Sequence, residues 1–206
     1  CGTGGLLLRA RGSGAGGAVA AARIAEAGRA VVILEEGEYL HAPDFNEDEG
    51  ALVPRLFADQ AMRSTVDASI SLLQGGAVGG GTTVNWMLML RTPDHVLEEW
   101  SRDHGLSGFT VADLAPHFSR VESEVHARLA PADAHAPSNL MILEGARRLG
   151  WRAGAERINA RGCVQAGTCS LGCRYDAKQG ALLTWLPRAF AAGARLYANA
   201  AVDRID

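Results

Sequence analysis

The stretch Gly12-Ser13-Gly14-Ala15-Gly16-Gly17 decides the fold of this 206-residue chain. An apolar run that begins at Leu6 precedes it, and an alanine-rich segment with helical spacing follows it as far as Gly28. A second apolar run, residues 30–34, comes next. Strand, glycine turn, helix and strand in this order predict the βαβ unit of a parallel sheet, and therefore an α/β fold.

The first glycine cluster, residues 12–17, has the GxGxxG spacing at Gly12, Gly14 and Gly17. The first glycine permits a tight turn, the second lets a pyrophosphate approach the backbone, and the third lets the helix pack on the strand. Glu35 follows at close to the roughly 20-residue offset of a carboxylate that accepts from a ribose 2′-hydroxyl. The pattern predicts a Rossmann-like site for NAD or FAD, and the carboxylate disfavours NADP because a 2′-phosphate would meet like charge.

A second glycine cluster, residues 75–81, is followed by Thr82, Thr83 and Asn85. Its bare backbone can lie directly against a flat or charged ligand, and the neighbouring hydroxyl and amide groups supply donors and acceptors. On physical grounds alone, a flexible glycine loop explains the same residues.

Three separated stretches resemble, in family order, the glucose–methanol–choline (GMC) family of FAD-dependent alcohol oxidoreductases. They are the first glycine cluster, GGGTTVNWMLMLRTPDHVLEEW at residues 79–100 and GTCSLGCRYDAKQGALLTWLPRAFAAGARL at residues 167–196. They look most like the long-chain fatty alcohol oxidase branch, and the similarity covers nearly the whole chain from Gly12 onward. The resemblance implies an FAD-binding Rossmann-like domain of GMC type, incomplete, with part of the substrate or cap region.

The resemblance also assigns cofactor-binding positions for FAD, and it implies that the two glycine clusters converge on opposite ends of one flavin nucleotide. Those of the ADP half are Gly12, Ser13, Gly14, Ala15, Gly17 and Glu35. Those of the ribityl chain and flavin are Gly79, Gly80, Thr82 and Asn85. The adenine would meet the backbone of Val202, in the strand after Gly193. Val84 stands where some members carry a histidine linked covalently to FAD, so we expect non-covalent FAD.

The implied full-length protein oxidises the CH–OH group of an alcohol, with long-chain alcohols as candidates. A proton leaves the alcohol, and a hydride passes from its carbon to flavin N5. In this family the catalytic histidine and its His or Asn partner lie near the C-terminus of a much longer chain. We therefore assign no catalytic residue and expect an N-terminal fragment that is inactive alone, since the chain begins at Cys1 and stops at Asp206 within a predicted strand.

We predict three segments along the chain. Residues 1–100 form the FAD-binding segment, residues 101–193 are mostly helical and lie on the cap or substrate side, and residues 194–206 form a return strand to the FAD-binding domain. Helix starts are predicted at three caps, which are the Thr110–Asp113 capping box, Ser138 and Thr184.

The composition excludes several classes of function. Apolar residues make up 48% and charged residues 21% of the chain, as in globular proteins. Twenty basic against 23 acidic side chains give a net charge of −3, and without a basic stripe a nucleic-acid partner is not expected. No apolar run is long enough for a membrane span. The expected partner is a small-molecule alcohol, a reducing cytoplasmic location is the default, and the sequence leaves the oligomeric state open.

Three of the four cysteines, Cys163, Cys169 and Cys173, lie in one loop. Their spacing lacks the C-x2-C pairs that are typical of zinc, so we expect buried structural cysteines and no metal. Arg174 and Lys178 are near enough in sequence to lower a thiol pKa.

Two alternative functions remain open. A NAD-dependent Rossmann dehydrogenase explains the first glycine cluster and Glu35, but it leaves the second cluster unexplained. An inactive nucleotide-binding remnant is the non-enzyme alternative.

Overall fold

The structure is a computed structural model that describes residues 8–204. Its strands are β1 (Leu8–Arg11), β2 (Val31–Leu34), β3 (Leu88–Met89), β4 (Ala127–Leu129), β5 (Arg157–Asn159) and β6 (Arg195–Tyr197). Its helices are α1 (Ala15–Glu26), α2 (Glu49–Leu56), α3 (Gly81–Val84), α4 (Asp94–His104), α5 (Val111–Glu124), α6 (Pro137–Arg148) and α7 (Trp185–Ala191). In this part of the chain no helix has the length and apolar character that crossing a membrane requires.

The chain divides into two compact units. The first comprises the residues up to Met87 together with those from Arg161 onward, and the second is Leu88–Ala160. The first unit contains both glycine clusters. The start of the predicted first strand, at Leu6, lies outside the described residues.

In the first unit, β1, β2 and β6 form a parallel sheet in the order β1-β2-β6. Leu8 pairs with Val31 and Arg11 with Leu34, so the predicted βαβ unit is confirmed. Central parallel strands are usually apolar on both faces, but β1 lies at the edge of this sheet. Its Arg9 and Arg11 side chains are exposed, which is how a parallel strand accommodates two arginines.

Helix α1 packs closely on its surroundings because its inner face is made of small residues. That face consists of Ala18, Ala21, Ala22 and Ala25. It lies against α7, and Glu26 forms an ion pair with Arg188 of α7 at 2.7 Å. A Cβ on Gly17 would lie 2.0 Å from the carbonyl oxygen of Gly12, so only glycine allows this helix start. The helix ends at Glu26 and is followed by Gly28 at φ +76°, as predicted.

An apolar core supports the second glycine cluster from below. Its members are Leu40, Phe45, Leu52, Leu56, Phe57, Ala77, Val84 and Leu171. Ala77 lies within the cluster and Val84 follows it in sequence, and both are buried in this core, so the core holds the loop in place. The second cluster is thus a packed element of the fold, and the open alternative of a flexible loop does not describe it.

The second unit combines helices α4, α5 and α6 with an antiparallel sheet in the order β3-β5-β4. Helix α5 begins with the predicted capping box, in which the Thr110 hydroxyl accepts from the Asp113 N–H at 3.2 Å. The predicted cap of α6 at Ser138 is wrong. Pro137 is already the first helical residue and Ala136 takes the capping position, since a proline in the first turn needs no N–H partner.

The return strand is shorter than predicted, because β6 ends at Tyr197. The chain then turns through Asn199 at φ +53°. The Asn199 N–H donates to the Gly37 carbonyl at 3.0 Å, and the Ala200 N–H donates to the Glu35 carbonyl at 2.8 Å. These two bonds connect the chain after β6 to the residues that follow β2, and they are not part of the sheet. Val202 therefore lies beyond the strand.

Candidate functional site

The N-terminus of α1 is open to an anion. Gly12 has φ +85° and turns the chain from β1 into the helix, while Gly14 is the capping residue. No side chain caps this helix, and its first turn contains no acidic residue. The first N–H groups of a helix have no intrahelical partners and carry the positive end of its dipole. The turn therefore offers what a phosphate needs.

Ser13 joins the predicted site residues to one another. Its N–H and its hydroxyl donate to Oε2 of Glu35 at 2.8 and 2.6 Å. The Gly79 N–H donates to the same Ser13 hydroxyl at 2.9 Å. Ser13 is fully buried and Glu35 is 6% exposed. The carboxylate at the end of β2 thus holds the first glycine turn, and that turn in turn holds the second cluster.

The two glycine clusters meet, although they are far apart in sequence. A Cβ on Gly80 would lie 3.1 Å from the Gly14 Cα, and Gly80 itself has φ +52°. A Cβ on Gly14 would still have 3.8 Å to its nearest heavy atom, the Gly80 Cα. The backbones approach closely at this point, and a Cβ on Gly14 would make only ordinary van der Waals contact with the second cluster. The two clusters therefore lie together, as binding of one ligand by both would require.

The hydroxyls after the second cluster are engaged in holding the loop. Thr82 Oγ1 donates to the Gly79 carbonyl at 2.7 Å and accepts from the Ala181 N–H at 3.0 Å. Thr83 Oγ1 donates to the Val78 carbonyl at 2.9 Å. These side chains were candidates for direct ligand contact. In the structure they fix the backbone to which a ligand would be presented.

The remaining predicted positions lie at the ends of these elements. Ala15 is the first residue of α1, and Asn85 follows α3 with its side-chain oxygen accepting from the Met87 N–H at 3.2 Å. Val202 is half-buried. Val84 is buried in the apolar core.

Sequence reasoning missed the most unusual polar residue of this unit, Lys178. Its Nζ donates to the carbonyl oxygens of Thr83, Asn85 and Cys169 at 2.6, 3.0 and 2.6 Å. It is 5% exposed, and burial lowers its pKa to about 8. A signal for it exists in the sequence, because Lys178 is the only lysine among 20 basic residues.

The cysteines only partly match the expectation of buried structural residues. Cys163 is exposed, and Cys169 and Cys173 are half-buried. Burial raises the pKa of the Cys169 thiol, and this effect outweighs the opposing charge of Lys178. The lysine therefore does not create a reactive thiolate. Between residues 8 and 204, no group of three or more His, Cys, Asp or Glu side chains is arranged to hold a metal ion.

Comparison with known proteins identifies relatives of this chain. The family model described as GMC oxidoreductase matches residues 53–206. A long-chain-alcohol oxidase of Arabidopsis thaliana, FAO4B, is 37% identical over 196 residues, which is 94% of this chain and 26% of the relative. An uncharacterized GMC-type oxidoreductase of Mycobacterium tuberculosis is 35% identical over 94% of this chain and 31% of its own length. The chain thus spans about a quarter to a third of these relatives.

Solved structures share the fold. Pyridoxine 4-oxidase from Mesorbium loti superposes with a TM-score of 0.67 at 18% identity, covering 94% of this chain and 42% of that structure. An FAD-dependent oxidoreductase from Chaetomium thermophilum superposes with a TM-score of 0.61 at 15% identity, covering 94% and 38%.

Proposed function

The chain belongs to the GMC oxidoreductase family, and from that premise we propose that it forms the FAD-binding part of an enzyme that oxidises an alcohol. The N-terminal domain of this family binds FAD. The single observation that carries the proposal is the meeting of the two glycine clusters at Ser13, where the Gly79 N–H donates to the Ser13 hydroxyl. A NAD-binding domain uses the first cluster and has no need of the second.

The residues at the first cluster fit the pyrophosphate of a dinucleotide. Gly14 has no side chain, and the nearest heavy atom to a Cβ placed there would be 3.8 Å away. Bare backbone at a helix N-terminus suits a phosphate group. The positions proposed for the ADP half are Gly12, Ser13, Gly14, Ala15, Gly17 and Glu35, with the backbone at Val202 for the adenine.

Glu35 would serve two purposes at this site. Its Oε2 accepts two bonds from Ser13, whereas its Oε1 accepts one bond, from the Gly37 N–H at 3.1 Å. A carboxylate oxygen has room for about two donors, so Oε1 can accept one further bond. We assign that bond to a ribose hydroxyl.

The flavin end would lie along the second cluster. Gly79 and Gly80 present backbone, and both have positive φ, so side chains would be strained there as well as obstructive. Thr82 would contribute through its backbone, because its hydroxyl is bound within the loop. Asn85 supplies an amide at the end of α3. Val84 is buried in the apolar core and cannot form a covalent link, so the FAD would be dissociable.

FAD, when bound, supplies the acceptor for the hydride that leaves the alcohol carbon. The residues of this chain would bind and orient it. We assign no proton acceptor to the chain. Long-chain alcohols are the substrate class we propose, because long-chain-alcohol oxidases of Arabidopsis thaliana are 37% and 31% identical over 94% of this chain.

The test is expression of the whole open reading frame that encodes this chain, followed by visible absorbance spectroscopy. We expect a yellow protein whose flavin bands bleach when a fatty alcohol is added without oxygen. A yellow protein that short- and long-chain alcohols both fail to bleach would refute the alcohol substrate. A colourless but well-folded product would refute the FAD assignment itself.

A further inference from the structure

Lys178 is buried, and its amine bonds to backbone carbonyls instead of a carboxylate. Its ammonium group has three N–H donors, and three backbone carbonyls accept them within 3.0 Å. Desolvation lowers its pKa, which means that burial of the charge is costly. An ammonium that keeps its full set of hydrogen bonds offsets part of this cost.

The three carbonyls belong to two separate segments. Thr83 and Asn85 stand at the end of α3, directly after the second glycine cluster, whereas Cys169 begins a short 3₁₀ turn, Cys169–Leu171. The last carbonyls of a helix have no partners within the helix. Lys178 satisfies two of them and ties them to the Cys169 turn. We call this arrangement of one amine and three carbonyls the lysine clamp.

The chemistry of the clamp is specific for lysine. An ammonium presents three donors in a tetrahedral array, whereas a guanidinium is a larger planar fork. The other 19 of the 20 lysine and arginine residues are arginine, so Lys178 supplies the one compact ammonium side chain of this sequence. Methionine matches the stem of lysine in length but offers no donor, so all three carbonyls would lose this partner.

We propose that Lys178 is a positioning residue for the flavin, in which the lysine clamp fixes the backbone from Thr83 to Asn85 in the arrangement that the cofactor requires. This inference rests on the proposed function. A segment held in its bound conformation before the ligand arrives gains affinity, because less ordering is needed on binding. Lys178 does not touch the reacting atoms in this role.

The first experiment compares variants of the full open reading frame. Lys178→Met should fold, bind FAD at least about tenfold more weakly and lose the fine structure of the flavin absorbance band. Lys178→Arg should fail to restore either property, because its donors do not match the three carbonyls. Arg161→Met, which replaces an exposed basic residue of the same unit, is the matched control and should behave as wild type.

Chemical rescue separates the amine from mere packing. Lys178 lines a cavity of about 220 Å³, through which a small cation can enter. Ethylammonium chloride should therefore restore FAD affinity and band structure in Lys178→Ala, and sodium chloride at the same ionic strength should not. Native FAD affinity and an unchanged spectrum in Lys178→Met would overturn the proposal. Loss of FAD from the wild type as well would instead overturn the proposed function.

A second measurement uses only the wild type and does not depend on any variant folding. A succinimidyl ester acylates the Lys178 amine and blocks tryptic cleavage after it. Acylated protein then yields the peptide 175–188 and unmodified protein the peptide 179–188, and mass spectrometry measures their ratio. If the lysine clamp strengthens FAD binding, bound FAD must stabilise the clamp to the same extent. FAD should therefore slow this acylation at least about tenfold relative to the apoprotein. Equal rates in the two forms would contradict the lysine clamp.

Discussion

Gly14 separates ligand binding from folding at the scale of one residue. Its φ is −69°, which any residue adopts, and a Cβ there would be in ordinary van der Waals contact, 3.8 Å from the Gly80 Cα. The protein itself therefore tolerates a side chain, whereas a phosphate against the backbone would not. Gly17 is different, because its Cβ would lie 2.0 Å from the Gly12 carbonyl oxygen.

We predict that Gly14→Val keeps the fold and lowers FAD affinity at least about tenfold, measured by the quenching of flavin fluorescence. Gly16→Ala is the matched control, since a Cβ there meets nothing within 4 Å, and it should bind FAD like the wild type. If Gly14→Val retained its flavin, the phosphate turn would lie elsewhere.

Ser13→Ala should destabilise the protein itself. The Ser13 hydroxyl bonds to Glu35 and Gly79 in a buried setting. Its removal takes the acceptor from the buried Gly79 N–H and one of two donors from the Glu35 Oε2. The cost is about 1–3 kcal/mol in the free energy of unfolding, measured by urea denaturation of the apoprotein. Ser64→Ala removes an exposed hydroxyl bonded to the Thr65 carbonyl and should change stability by less than about 0.5 kcal/mol.

The pKa of Lys178 predicts a pH dependence of stability. It is about 8 in the folded protein against 10.5 for a free side chain, so between these values the unfolded chain binds more protons. The free energy of unfolding should therefore rise with pH from 8 to 10.5, by up to about 3 kcal/mol. The titratable groups that act on this amine are Cys169 and Cys173, and burial holds the pKa of Cys169 above its usual range.

Denaturation of the apoprotein at several pH values measures this effect, and Lys178→Met should not show the rise. FAD affinity should move in the opposite direction, because a neutral amine has two hydrogens for three carbonyls. A wild-type profile identical to that of Lys178→Met would contradict the folded pKa.

At the scale of elements, patterns that act over a few residues were predictable from the sequence. The alanine face of α1, the stop near Gly28 and the capping box of α5 each follow from local spacing. The end of the return strand, in contrast, depends on contacts with distant residues. β6 ends at Tyr197 because Asn199 and Ala200 bond to the residues after β2, and these partners are far away in sequence.

In the candidate site, too, local sequence patterns were predictable and contacts between distant residues were not. The glycines are recognisable because bare backbone has a sequence signature. The role of Lys178 was missed because its partners are main-chain carbonyls. Every residue has a carbonyl, so no pattern of side chains in the sequence indicates these contacts. Glu35 was predicted for a ribose hydroxyl, and its bonds to Ser13 were not, since the hydroxyl of a residue inside the turn points back at the strand only in the folded chain.

Helix α5 offers a prediction at this scale. Thr110 and Asp113 each accept from the backbone N–H of the other, so Thr110→Ala removes one side of the capping box. Stability should fall by about 1 kcal/mol, and amide hydrogen exchange at the first turn of α5 should become faster. Thr110→Ser retains the hydroxyl and is the matched control. Equal exchange in all three proteins would show that the box does not stabilise the helix.

At the scale of the whole molecule, the two glycine clusters give the first unit a dependence on its ligand. One cluster follows β1, and the other includes Ala77 of the apolar core. The Gly79 N–H joins them by its hydrogen bond to the Ser13 hydroxyl. A dinucleotide that spans both clusters would add contacts to each of them. Ligand that binds only the folded state stabilises it by mass action.

FAD at about 100 times its dissociation constant should therefore raise the free energy of unfolding by about 2.7 kcal/mol, seen as a higher midpoint in thermal denaturation of the full open reading frame product. In the alternative assignment, NAD contacts the first cluster alone. If FAD is the true ligand, NAD at equal concentration should leave the midpoint unchanged. Gly14→Val should lose the FAD-dependent rise while keeping the midpoint of the apoprotein, because its side chain obstructs the phosphate and not the fold. A midpoint that NAD raises and FAD does not would return the chain to the dehydrogenase alternative, and the second glycine cluster would then need another explanation.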